Sequence, residues 1–193
     1  MKVVIFDRME ECTEEEVQRM LPFVSVQRRE QALRYKHTFG QFCSLKAWLL
    51  LQEGLEDEMV RGLEDFCYNE YGKPYIEGGP YFSISHCKEG IAVAIDDKPI
   101  GIDIEAIRHA EEDLIERTMN AEEIERIRGL EVRGLGDREF TRLWTQKEAI
   151  VKTQGVGIQS FEQLQAVLVE SKKLKVESFE KEKYIYSVAV VNS

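Results

Sequence analysis

The spacing of apolar and polar positions changes character along this chain, from helical to alternating and back. Residues 2–7 form a short β-branched apolar run and predict a strand. Thr13 with Glu16 three positions on is a capping box, which predicts a short helix stopping near Pro22. Ser25 predicts the cap of a second helix through Tyr35. Residues 41–53 predict a third, with Phe42, Leu45, Trp48 and Leu49 supplying an apolar face and Gly54 its stop. A further acidic helical stretch follows. Residues 66–68 then predict a strand, and Tyr71-Gly72-Lys73-Pro74 a turn.

Beyond that turn the period drops to two. Residues 81–85, 91–95 and 100–105 predict three short strands joined by turn-rich segments, and so an antiparallel meander. Residues 111–130 return to helix, with Asn120 and Glu123 as another capping box. Asp137 predicts the cap of a longer helix over 138–154, stopped by Gly155. Three β-like runs close the chain, at 165–170, 173–179 and 184–191. Helices and strands thus recur on both sides of Lys98-Pro99. No residue-level repeat links the two sides, and the pattern predicts two similar α+β halves.

Composition limits what such a chain can do. Its 193 residues are 43% hydrophobic, enough for a substantial core. No apolar run approaches the ~20 residues of a membrane-spanning helix, and the first residues are too short a run for a signal peptide. The expectation is a cytoplasmic protein without membrane contact. Cys12, Cys43, Cys67 and Cys87 form no C-x-x-C pair, so no zinc or redox motif is written in them. The 36 acidic against 26 basic side chains leave a net charge of -10, which argues against nucleic acid as a partner. That charge is uneven. Residues 26–50 carry Arg28, Arg29, Arg34, Lys36 and Lys46 against Glu30 alone, whereas residues 105–131 carry nine acids against four bases. An anionic ligand therefore belongs near the basic segment.

Three segments carry candidate chemistry. In Ile100-Gly101-Ile102-Asp103-Ile104-Glu105 the alternation sends three isoleucines to one strand face and both carboxylates to the other. Their Cα atoms are then about 6.8 Å apart, close enough for both side chains to converge on one ion. A solvated strand face with two acids is the plainer alternative. In Trp144-Thr145-Gln146-Lys147-Glu148-Ala149-Ile150-Val151-Lys152, the side chains of Glu148 and Lys152 share a helix face, which alone can be an ordinary i,i+4 pair. Combined with Asp103 and Glu105 it becomes three carboxylates for an oxygen-loving ion, Mg²⁺ or Mn²⁺, beside a lysine for a phosphate. Phe82-Ser83-Ile84-Ser85-His86 places a hydroxyl and an imidazole at a strand exit, and Lys73 in the preceding turn adds a charge. A β-turn with polar residues accounts for that segment equally when it is taken alone.

Taken in order, Tyr71-Gly72-Lys73-Pro74, Phe82-Ser83-Ile84-Ser85-His86, Ile100-Gly101-Ile102-Asp103-Ile104-Glu105 and Trp144 through Lys152 resemble the 4'-phosphopantetheinyl transferase superfamily, in its long, Sfp-like branch. Asp103 and Glu148 stand 45 residues apart. The resemblance implies an α+β fold of two similar, pseudo-twofold α/β halves, each a small mostly antiparallel sheet packed with helices. Halves over 1–98 and 99–193 are expected, with the active site between them. It implies a monomeric enzyme moving the phosphopantetheine arm of coenzyme A to a serine of an apo acyl or peptidyl carrier protein, with release of adenosine 3',5'-bisphosphate. Asp103, Glu105 and Glu148 would then hold Mg²⁺ and Glu148 would be the base for the carrier serine. Lys152 would contact the diphosphate, while Lys73, Ser85 and His86 would hold the nucleotide end. Glu123 weakly matches an acidic residue near the family's site. Family members usually also carry a coenzyme A-gripping arginine in the helix at 41–53; here the sequence reads Gly40-Gln41-Phe42-Cys43-Ser44-Leu45-Lys46, and Lys46, Arg28 and Arg34 are the substitutes on offer. Two alternatives follow from that departure and from the metal-type residues: a non-catalytic coenzyme A-binding module, and a metal-dependent phosphohydrolase.

Overall fold

The computed structural model describes residues 1–55, 67–130 and 134–192. The acidic helical stretch expected after Gly54, and Phe66, lie outside the described residues. Strand β1 (Lys2–Phe6) leads through a 3-10 turn to helices α1 (Glu14–Met20), α2 (Val26–Leu33) and α3 (Thr38–Gly54). Caps set these boundaries: Thr13 Oγ1 accepts from Glu16 N at 3.2 Å, and Ser25 Oγ from Arg28 N at 3.1 Å. A small hairpin of β2 (Cys67–Tyr68) and β3 (Pro74–Tyr75) precedes β4 (Tyr81–Cys87) and β5 (Gly90–Asp96). Then come β6 (Ile100–Ala106), α4 (Glu112–Thr118), α5 (Ala121–Arg128), α6 (Leu135–Gln154), α7 (Phe161–Glu170), β7 (Leu174–Glu180) and β8 (Tyr184–Val191).

The strands form two three-stranded antiparallel sheets, in order β1-β5-β4 and β6-β8-β7. The expected meander therefore ends after β5. Its free edge is taken by β1, with Lys2 opposite Ile95 and Phe6 opposite Ile91, so β6 crosses to pair with β8. Because β5 is central, both its faces are buried. Ile91, Val93 and Ile95 pack with α1–α3, while Ala92 and Ala94 meet Ile100, Ile102 and Ile104 of β6. The far face of the second sheet carries α6 and α7 through Ala149, Val151, Leu164 and Ala189. Layers run helices, sheet, sheet, helices, and burying the two sheets against one another supplies the middle of the core.

Two more expectations change. Residues 165–170 belong to helix α7 rather than a strand, because Ser160 Oγ accepts from Gln163 N and caps a helix that buries Leu164 and Val167 one turn apart. The long helix is not capped by Asp137. It begins from Gly134 at φ +84°, and Asp137 lies in its first turn, where Oδ1 accepts from Ala110 N at 3.3 Å and lies 3.1 Å from His109 Nδ1. Its other end is as expected: Gly155, at φ +75°, takes the left-handed conformation that closes the helix without a Cβ clash.

Candidate active site

Helix α6 lies across β6 closely enough that position 101 has no room for a side chain. A methyl group there would meet the carbonyl oxygen of Ala149 and fall 2.6 Å from Thr153 N. The glycine in the Ile-Gly-Ile-Asp-Ile-Glu run is therefore what lets the helix carrying Glu148 and Lys152 settle on the strand carrying Asp103 and Glu105. Buried hydroxyls fix the contact further along. Thr145 Oγ1 lies 2.7 Å from Ser187 Oγ, and Thr153 Oγ1 donates to Ala189 O at 3.0 Å.

The sheets adjoin where β4 approaches β6. Ile102 N donates to Ser83 Oγ at 3.1 Å, and Ser85 Oγ donates to Asp103 Oδ1 at 2.7 Å. Lys152 then closes a triangle. Its ammonium lies 2.6 Å from Asp103 Oδ1 and 3.0 Å from Ser85 Oγ. Asp103 is 3% exposed, and its second oxygen, Oδ2, is buried without a hydrogen-bond partner. A buried carboxylate oxygen left in that state costs free energy unless a further positive group meets it.

Glu105 and Glu148 belong to the same electrostatic region. Burial and the Asp103 charge push Glu105 up to about 7, with Arg108 and Lys152 opposing and Glu148 adding to the rise. Glu148 is raised by burial and by Asp103, with Lys152 pulling it back. Carboxyl groups crowded together resist simultaneous ionisation, and a hard divalent cation with oxygen ligands removes that resistance. The orphaned Asp103 oxygen and the all-oxygen donor set fit such a cation. Among the described residues, no three His, Cys, Asp or Glu side chains converge as a ready-made metal cage. The side chain nearest Asp103 Oδ1 on the helix side is the ammonium of Lys152.

Beside this cluster lies a cavity of about 240 Å³ lined by Tyr71, Lys73, Pro74, Phe82, Ser83 and Lys152, and closed by Gly155 and Gly157. A smaller one, about 60 Å³, lies between Glu105, Arg108, Phe140 and Trp144. The cluster thus has a recess on either side, one beside Lys152 and one beside Glu105.

Other candidates fall elsewhere. His86 follows Ser85 on a strand, so it points to the opposite face, where its exposed ring meets Phe39 edge-on at 6.0 Å. Arg28 is buried, with its guanidinium over the Trp48 ring at 4.8 Å. The ammonium of Lys46 sits 4.3 Å from the Phe6 ring centroid. Neither cation is brought to Asp103. Glu123 is not at the cluster either. It completes the Asn120 capping box and pairs at 2.6 Å with Lys147, which is fully buried on a different face of α6 from Glu148. Lys73 lines the cavity, but its ammonium donates to Lys152 O at 2.5 Å and Ile100 O at 3.3 Å.

Asn69 was not among the sequence candidates. Its Oδ1 accepts from Tyr71 N and Lys73 N, and its Nδ2 donates to Gly155 O. An Asn two residues ahead of a Tyr-Gly turn is an Asx-turn signal, the one trace of this in the sequence.

The profile of the 4'-phosphopantetheinyl transferase superfamily matches residues 99–190, which include Asp103, Glu105, Glu148 and Lys152. A 4'-phosphopantetheinyl transferase of Bacillus subtilis is 33% identical over 161 residues, covering 80% of this chain and 70% of its own length. The chain belongs to the 4'-phosphopantetheinyl transferase superfamily. The transferase Sfp of Bacillus subtilis strain 168 is 29% identical over 150 residues, 76% of this chain and 66% of its own. HetI of Nostoc is 31% identical over 133 residues, 65% of this chain and 54% of its own. The chain spans about two thirds of the length of its Bacillus relatives. Members of this family are transferases, and the mixed α/β architecture with two small antiparallel sheets accords with membership. Among the described residues no helix is long and apolar enough to cross a membrane.

Proposed function

We propose that this chain transfers the 4'-phosphopantetheine arm of coenzyme A to a serine hydroxyl of an apo acyl or peptidyl carrier protein in a Mg²⁺-dependent reaction, with the site at the junction of halves 1–98 and 99–193. The observation that carries this is the Ser85–Asp103–Lys152 triangle, with its orphaned Asp103 oxygen, beside a cavity of about 240 Å³.

The carrier serine oxygen attacks the phosphorus bearing the pantetheine arm. The bond from that phosphorus to the bridging oxygen breaks, and adenosine 3',5'-bisphosphate leaves with the bond's electron pair. Glu148 takes the serine proton. A positioned carboxylate is the general base that so weak a nucleophile needs. Lys152 is at hand to offset charge building on the 5'-phosphate of the leaving bisphosphate, and Ser85 orients Lys152 and Asp103 together. Asp103, Glu105 and Glu148 would hold the divalent ion, which when bound supplies charge neutralisation for the diphosphate.

The test is mass spectrometry of an apo carrier incubated with protein, coenzyme A and Mg²⁺. One added phosphopantetheine per carrier is expected, together with loss of that gain in Glu148→Gln at unchanged folding. No mass gain across several carriers overturns the proposal, and bisphosphate release without any carrier points to hydrolysis instead.

A further inference from the structure

Lys73 and Asn69 lie in the segment between β2 and β3, yet three of their side-chain hydrogen bonds leave it. Asn69 Nδ2 donates to Gly155 O at 2.8 Å, across 86 positions of sequence. Its Oδ1 accepts from Lys73 N at 2.8 Å and Tyr71 N at 3.0 Å, so the same side chain shapes the turn and ties it down. Lys73 Nζ is spent on the carbonyls of Lys152 and Ile100. The last carbonyls of a helix lack internal partners and carry partial negative charge, so an ammonium there is favourable. Both tethers end in the last turn of α6 and its cap, the turn that also carries Lys152, and the hairpin side chains they hold line the cavity of about 240 Å³.

We infer that Asn69 and Lys73 are positioning residues: they clasp the β2–β3 hairpin to the end of α6, forming the nucleotide cavity, and Lys73 acts through the Lys152 carbonyl rather than on a substrate phosphate. This rests on the proposed transfer from coenzyme A and takes this cavity as the seat of its nucleotide end. The geometry separates the two roles of Asn69. Asn69→Asp keeps the acceptor for Tyr71 N and Lys73 N but replaces the donor to Gly155 O with a repelling oxygen.

The experiment compares wild type, Asn69→Asp and Lys73→Met with coenzyme A and with 3'-dephospho-coenzyme A, alongside hydrogen exchange of the amides in residues 67–75. A lost inter-element hydrogen bond of ordinary strength predicts about a tenfold rise in KM in either variant. That rise should be the same for both substrates, with kcat within about threefold and faster exchange in the hairpin. A purely structural role would lower stability and kcat without this KM selectivity. If the Lys73→Met penalty vanishes with the dephospho substrate while Asn69→Asp behaves as wild type, Lys73 is a phosphate ligand and the clasp is wrong. Should wild type turn over neither substrate, the transferase proposal fails by itself. Hydrogen exchange in Asn69→Asp still decides the clasp, which is overturned if hairpin protection is unchanged.

Discussion

Lys152 Nζ lies 2.6 Å from Asp103 Oδ1, joining the last turn of α6 to the middle of β6. With Asp103 almost fully buried, removing the ammonium leaves a carboxylate without its cation. Lys152→Met should lower transfer by about 10²- to 10³-fold. It should also lower stability by about 2 kcal/mol, reduced from the fully buried case because Lys152 keeps some exposure. Steady-state kinetics and urea unfolding check both effects.

The orphaned Asp103 oxygen predicts that Mg²⁺ binds to and stabilises the folded protein. At a metal concentration of about 100 Kd the gain is about 2.7 kcal/mol. Differential scanning with increasing MgCl₂ should show a rising melting temperature in wild type and none in Asp103→Asn beyond the effect of matched ionic strength with NaCl. Equal responses in the two proteins would remove Asp103 from the ligand set.

Position 101 tests how closely strand and helix must approach. Gly101→Ala places a methyl against the Ala149 carbonyl and the Thr153 amide, backbone atoms that cannot step aside singly. Displacing α6 from β6 is the remaining outcome. A stability loss of about 1–3 kcal/mol is expected, with a disproportionate loss of activity because Glu148 and Lys152 move with the helix. Thermal unfolding alongside carrier labelling separates the two effects.

Lys147 is fully buried among Glu123 Oε2, Thr118 O and Leu164 O, at 2.6, 2.8 and 2.8 Å. Lys147→Met strands the buried Glu123 and should cost about 3–5 kcal/mol in chemical denaturation. Adding Glu123→Gln removes the stranded charge while keeping an oxygen for the Asn120 amide. The double variant should regain part of the loss, and failure to do so would mean that packing rather than charge governs this group.

Alkaline pH should weaken the fold through its thiols. Burial pushes Cys43 up to about 12, with Cys12 and Cys87 adding to it, and pushes Cys87 up to about 11. An unfolded thiol ionises near 8.5. Above that pH the unfolded chain therefore releases protons that the folded chain keeps, and stability falls from about pH 8.5 until the folded thiols ionise. For Cys43 this amounts to about 2 kcal/mol by pH 10. Urea midpoints at pH 8 and 10 should differ less in Cys43→Ala than in wild type.

Much of the fold was legible where the deciding interactions are local. Thr13, Ser25 and Asn120 cap the helices that their spacing announces, and Gly155 stops the long helix. Residues 165–170 misled because Val and Leu suit a strand as well as a helix; the better signal was Ser160 upstream. In the candidate site, the alternation of β6 gave Asp103 its face, and helical spacing put Glu148 with Lys152. The same alternation carries His86 away from Ser85, a consequence of strand geometry that the motif alone conceals.

By itself the sequence determined the periodicities, the caps and the four ordered motifs, because each depends on residues a few positions apart. Tertiary structure decided which strand edge β6 would join, since β1 had already occupied β5. It also decided which cations meet carboxylates. Arg28 and Lys46 lie against aromatic rings, Lys147 is shut in with Glu123, and Lys73 is drawn to the carbonyls of Lys152 and Ile100, leaving Lys152 on Asp103. A charge finds its partner by what burial and packing bring within a few ångströms, and that distance is set by the whole fold rather than by spacing along the chain.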